Sequence, residues 1–134
     1  ADKSPSLFTM SLGRIDFATN RLSFCQAGAP NAYILSTDPS RRLERVGLGG
    51  FPIGYSTNES YEVQEIQLEK NDCFIGFSEN FTDRHAEALE TLLYGLPSLS
   101  VEALKINVSA WCDQLNQTDD ISAVFFQYKP NEIH

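Results

Sequence analysis

Apolar residues recur along this chain with two spacings, and the places where the spacing changes outline the fold. Phe8, Met10 and Leu12 are separated by Thr9, Ser11 and Gly13, the two-residue period of a half-buried strand. "DFATNR" (16–21) supplies turn residues, and Leu22 and Phe24 then alternate with Ser23 and Cys25. Two such runs around a polar turn predict a β-hairpin. "AYILS" (32–36) and "LERV" (43–46) are further strands around the turn "DPSRR" (38–42). "YEVQEIQLE" (61–69) and the uncharged "CFIGF" (73–77) follow, separated by "KND". In "HAEALETLLYGLP" (85–97), Ala88, Leu89, Leu92 and Leu93 fall on one helical face, and Gly95 and Pro97 end it. A second helical stripe runs through Val101, Leu104, Val108, Trp111 and Leu115, with Ser100 as its expected N-cap. "ISAVFFQY" (121–128) returns to strand. Six strands, two helices and one strand predict an α+β domain of mainly antiparallel pairing, its helices covering one sheet face.

Ala1–Ser6 is a polar lead-in with a proline, residues 7–129 form the expected domain, and 130–134 trail off. "GLGGFPIG" (47–54) packs four glycines and a proline into eight residues. It suits neither a helix nor a central strand. It is read as a loop whose backbone takes special torsions or approaches something closely.

The length fits one domain with a real core. A net charge of −8 argues against nucleic acid, whose phosphates call for a basic face. No run approaches the about 20 apolar residues of a membrane span. Cys25, Cys73 and Cys112 are odd in number and far apart, the pattern of reduced thiols in a cytoplasmic protein. The sequons at Asn58, Asn80, Asn107 and Asn116 then go unused.

Chemistry is sparse. The chain has no G-x-S-x-G, no P-loop and no H-E-x-x-H. His85 opens a helix and His134 ends the chain, which gives a histidine-based triad little to work with. Cys112, beside Trp111, reads as packing. "SRRLER" (40–45) reads as a solvated hairpin end, or as a contact for a phosphorylated partner. Two acidic points stand at strand ends: Glu79 after 73–77, and Asp119-Asp120 before 121–128. If those strands pair antiparallel, the carboxylates meet at one sheet edge and could hold a hard cation such as Mg²⁺ or Mn²⁺. Otherwise Asp119 or Asp120 makes a turn and Glu79 is solvated.

The order of motifs is more specific than any one of them. "RLSFCQAG", "GGFPIG", "LEKNDCFIGFSENFTD", two helices and "TDDISAVFFQY" together resemble the C-terminal half of metal-dependent serine/threonine protein phosphatases of the PPM family, in particular its bacterial SpoIIE-like branch. The resemblance implies part of an α-β-β-α sandwich of antiparallel sheets, with the two helices on one face. It implies a Mn²⁺ or Mg²⁺ cofactor with Asp119 and Glu79 as metal-binding residues, and a structural role for Gly49, Gly50, Pro52 and Gly54. It also implies a phosphoserine or phosphothreonine regulatory protein as partner, such as an anti-sigma-factor antagonist, and a receiver or sensor module in the same polypeptide. The branch has T-D-G where this chain has Ser78-Glu79-Asn80, and A-G-H where it has Ala27-Gly28-Ala29. Its first metal motif, G-D-x-x-D on an earlier strand, is absent, so the chain alone is expected to be inactive. The resemblance therefore leaves two readings. One is part of an enzyme that hydrolyses a phosphoprotein with metal-activated water. The other is a pseudophosphatase module that works by contact.

Overall fold

A computed structural model describes residues 9–28, 32–47, 53–54, 60–77, 81–115 and 122–130, the side chains of 81–84 excepted. The strands are β1 (Met10–Asp16), β2 (Arg21–Ala27), β3 (Ala32–Leu35), β4 (Leu43–Val46), β5 (Gln64–Gln67), β6 (Cys73–Phe77) and β7 (Ala123–Gln127). The helices are α1 (Phe81–Tyr94) and α2 (Val101–Gln114). They form two antiparallel sheets, β1-β2-β5 and β4-β3-β6-β7. The predicted element order holds; α1 starts four residues before the predicted helix.

β3 shows why the layers stack. All four of its residues are buried, so it has a protein layer on each face. Tyr33 and Leu35 point to one side and join Cys73, Ile75, Leu89, Leu93, Leu104 and Val108 in the core beneath the helices. Ala32 and Ile34 point to the other and join Leu22, Phe24, Val46, Ile66 and Tyr128 between the sheets. The layers are thus helices, four-stranded sheet, three-stranded sheet.

The helices follow their apolar stripes. Leu89 and Leu93 of α1 and Leu104 and Val108 of α2 are buried, whereas Ala88 is exposed at the margin of its stripe. Ser100 caps α2, its hydroxyl oxygen accepting from Ala103 N at 3.0 Å. Helix α1 is interrupted at His85, where φ is −124°, and the His85 ring lies edge-on to Trp111.

Strand β1 departs from the expected facing. Met10 and Leu12 are 44% and 62% exposed, while Ser11, Gly13 and Ile15 turn toward the other sheet. The alternation is real, but its apolar side is the outer face of the three-stranded sheet, which no described element covers. Hydrophobic period reveals that a strand has two faces; the neighbours decide which one is inside.

Candidate functional site

The strands expected to carry the acidic points are neighbours. β6 pairs antiparallel with β7 in a register running from Cys73↔Gln127 to Phe77↔Ala123. The end of β6 therefore lies beside the start of β7. Glu79 follows Phe77 by two residues and Asp119 precedes Ala123 by four. Glu79 and Asp119, with Ser78, Asn80 and Asp120, lie outside the described residues. So do Ala29, Gly49, Gly50 and Pro52. Of the glycine loop, Gly54 is described, in a turn with φ +94°. Among the described residues no group of three or more His, Cys, Asp or Glu side chains is placed to hold a metal.

The far end of the β6–β7 pair is locked. Asn71 takes φ +74° and donates its N–H to Tyr128 O at 2.7 Å, and Tyr128 N donates to Asp72 O at 2.7 Å. Gln127 Nε2 donates to Asn71 O at 3.2 Å and to Leu99 O at 3.1 Å, tying β7 to the segment before α2. The Tyr128 hydroxyl reaches Asn20 Oδ1 in the β1–β2 turn, joining the two sheets. Asp72 is buried, and its Oδ2 accepts from Glu69 N at 2.9 Å. Burial pushes the Asp72 carboxyl up from its ordinary value, against the lowering effects of the Glu69 N–H, Ser36 and Arg41. A slip of one residue along β6 would exchange the sheet faces of all its side chains. This corner therefore fixes which residues stand at the opposite end. It was not singled out in the sequence; the polar "KND" before an uncharged strand was the available signal.

The arginines of "SRRLER" make contacts within the domain, with Arg45 still about half exposed at 49%. Arg41 donates to Gln67 O at 2.9 Å and lies 3.3 Å from Glu69 and 3.8 Å from Asp72. Arg42 donates to Leu96 O at 2.7 Å, holding the end of α1 to the sheet. Arg45 pairs with Glu90 of α1, next to the buried Tyr33. Burial, and then the Glu90 carboxylate, raise the Tyr33 phenol pKa.

At the base of the glycine loop, Gly47 has φ +109° and donates its N–H to Gln64 Oε1 at 2.8 Å. A Cβ there would fall 1.9 Å from Gln26 Oε1, so the torsion and the space both call for glycine. Cys73 and Cys112 are kept in the thiol form by their surroundings. Burial raises Cys73 to about 11 and pushes Cys112 up as well.

An apolar groove of about 470 Å³ opens between the sheets on the side of β1 and β7. Phe77 and Ser122, which flank the two acidic segments, line it, as do Phe74 and Phe126. The Phe74 ring stacks on Phe126 and meets Phe24 edge-on.

With this arrangement in hand, the comparisons decide the family. The family model described as Stage II sporulation protein E (SpoIIE) matches residues 2–129. The chain belongs to the SpoIIE family. Among solved SpoIIE structures, the phosphatase domain of the cell fate determinant SpoIIE from Bacillus subtilis matches 93% of this chain at 21% identity, with a TM-score of 0.69. The PP2C phosphatase domain of the same protein with a fragment of its regulatory domain matches 92% at 20% identity, with a TM-score of 0.76. The RsbU and RsbW domains of a Mycobacterium tuberculosis protein match 92% at 17% identity, with a TM-score of 0.68. A curated relative, Protein IcfG of Synechocystis, is 26% identical over 102 residues, or 76% of this chain. The fold of this chain matches part of that PP2C phosphatase domain. The chain spans 57% of the first of those solved chains and 15% of IcfG.

Proposed function

We propose that this chain is the C-terminal part of a signalling serine/threonine protein phosphatase domain, covering residues 7–129 between short flanks. Its metal-binding residues are Asp119 and Glu79. One observation carries the reading: the antiparallel β6–β7 register sets the end of one strand beside the start of the other, and each leads into a segment with a candidate carboxylate.

The donor chemistry suits the cation. Carboxylate oxygens are hard ligands of the kind Mg²⁺ and Mn²⁺ prefer. A solved structure of the B. subtilis SpoIIE phosphatase domain from Mn-presoaked crystals has the same fold, with a TM-score of 0.69. Two carboxylates do not complete an octahedral shell, so further ligands come from residues outside this chain, from water or from phosphate. When bound, such ions supply a water nucleophile and offset phosphate charge. This chain's own part is to hold Asp119 and Glu79 at one edge. The Asn71–Asp72–Tyr128 corner sets the strand register, and the role proposed for Gly49, Gly50, Pro52 and Gly54 is structural. The partner is a phosphoserine- or phosphothreonine-bearing regulatory protein, such as an anti-sigma-factor antagonist. A receiver or sensor module in the same polypeptide would control access to it. No described helix is long and apolar enough to cross a membrane, and the proposed compartment is the cytoplasm.

The test is Mn²⁺-dependent hydrolysis of a phosphoserine protein by the longest natural polypeptide that contains this chain. Asp119→Ala should lower the rate at least about 100-fold, as loss of a group acting on developing charge does. Activity untouched by that substitution sinks the proposal.

A second reading has its own observation. Glu79 is one methylene longer than aspartate, and Asn80 stands where the family's motif keeps glycine. Octahedral Mg²⁺ tolerates displaced ligands poorly. On this reading the domain is a pseudophosphatase that regulates a partner by contact. It predicts millimolar or no Mn²⁺ affinity in that polypeptide.

A further inference from the structure

We propose that His85 is a positioning residue for the proposed metal site: its ring, seated on Trp111, fixes the break in α1 from which the chain runs back to Glu79. The inference rests on the metal reading above and deepens it.

The break is not dictated locally. Helix α1 runs from Phe81 to Tyr94 without a proline or a glycine, the usual causes of an interrupted helix. Ala86, Glu87, Ala88, Leu89 and Glu90 are all good helix formers. Yet His85 takes φ −124° and ψ 16°, far from the helical values of about −63° and about −42°.

A tertiary contact accounts for it. His85 stands four residues before Leu89 and eight before Leu93, on the stripe where both leucines are buried. Trp111 stands three residues after Val108 and packs against the same core. The short connection 95–100 turns α2 back along α1, so the start of α1 meets the end of α2. There the His85 ring lies edge-on to the Trp111 indole, with centroids 6.0 Å apart and an interplanar angle of 90°. Edge-to-face is a preferred arrangement of two aromatic rings. A leucine at this stripe position would pack without direction; the flat ring against the indole sets an orientation.

The contact divides α1 into two parts. The body is held: Leu89 and Leu93 lie in the core, Glu90 pairs with Arg45 of β4, and Arg42 donates to Leu96 O. The first turn lies between His85 and Phe77, the last residue of β6, whose partner is Ala123 of β7. Phe77 packs against the same core as Trp111. Residues 78–84 join these two anchors, and Glu79 is among them. The anchors therefore set the path open to Glu79. Its extra methylene carries the carboxylate about 1.5 Å further from the backbone than that of aspartate. Keeping the oxygens on the ion requires the backbone to stand back by a similar distance. A break at His85 lets the first turn shift while the body stays in the core, as hinge residues near element ends do. The ring contact then holds the shifted position.

Mn²⁺ titration calorimetry on the longest natural polypeptide containing this chain tests the proposal, with hydrogen exchange on the same variants free of metal. His85→Ala should weaken Mn²⁺ binding about 3- to 10-fold, the range that an edge-on ring contact can supply. His85→Phe keeps the ring and should change the affinity by less than about 3-fold. The binding stoichiometry should not change, because a merely structural loss removes folded protein and lowers the stoichiometry instead. In metal-free exchange, His85→Ala should speed peptides covering 78–85 at least about 3-fold and leave those covering 87–94 unchanged. Unchanged Mn²⁺ affinity in His85→Ala, where Asp119→Ala still weakens it, overturns this inference and leaves the metal reading standing. Absence of Mn²⁺ binding in the unsubstituted polypeptide overturns both. An equal loss of affinity in His85→Phe, or exchange that speeds along all of α1 or along none of it, overturns the positioning role alone.

Discussion

The two faces of the β-sandwich differ sharply. On the four-stranded sheet, Leu89, Leu93, Leu104 and Val108 seal Tyr33, Cys73 and Ile75 from water, and Arg42 and Arg45 fasten α1 to the strands. On the three-stranded sheet, Met10 and Leu12 face outward uncovered, and a groove separates β1 from β7. The strands of the four-stranded sheet are also the more apolar, as a layer covered on both faces requires. That sheet has its helical layer within these residues, and no described element covers the outer face of the other. The closed face holds the larger buried core, and the open side leaves Met10 and Leu12 in contact with solvent.

Substitutions can break this comparison. The largest effect is expected under the helices: Leu93→Ala or Leu104→Ala should cost about 2–5 kcal/mol in denaturant unfolding, the usual result of truncating a buried leucine. A loss below 1 kcal/mol at both would mean the helices are not the sealed face. Gly47→Ala comes next. The strained torsion and the clash with Gln26 should cost more than the roughly 1 kcal/mol that separates glycine from alanine at ordinary torsions. Ser100→Ala should cost about 1 kcal/mol through the lost cap of α2, read by the same unfolding curves. Leu12→Ala on the open face should fall within about 0.5 kcal/mol in the 134-residue chain.

The Asp72 corner sharpens the contrast by pH. Burial raises the folded-state carboxyl above its unfolded value, with Arg41 and the Glu69 N–H opposing. The folded form therefore binds the proton more tightly. This group's contribution to stability is full below the unfolded pKa and is lost as pH rises through the folded one. Asp72→Asn keeps an oxygen for Glu69 N and removes the charge, so it should flatten that part of the stability–pH curve. An unchanged curve would show that Asp72 does not titrate in that window.

Much of the fold was legible because local pattern and tertiary role agreed. The bounds of β4 and β6 follow directly from uninterrupted runs between turn residues, and Ser100 announces its own cap. The facing of β1 was not legible, since Met10 and Leu12 obey the strand period whichever side is covered. The roles of Arg41, Arg42 and Arg45 were also hidden: their partners Gln67, Leu96 and Glu90 are 26, 54 and 45 residues away. For the site, sequence supplied the carboxylates and the condition that their strands be neighbours. The β6–β7 register meets that condition. Whether Glu79 with Asn80 can replace Asp-Gly depends on ligand geometry, which a string of residues does not encode.

That question is open to one direct measurement: Mn²⁺ titration calorimetry on the longest natural polypeptide carrying this chain, with Asp119→Ala and Glu79→Ala alongside. The account predicts micromolar affinity that either substitution weakens at least about 10-fold, the scale of losing one ligand interaction of about 1.4 kcal/mol or more. Absence of Mn²⁺ binding in the unsubstituted protein, or affinity unchanged by both substitutions, would contradict it.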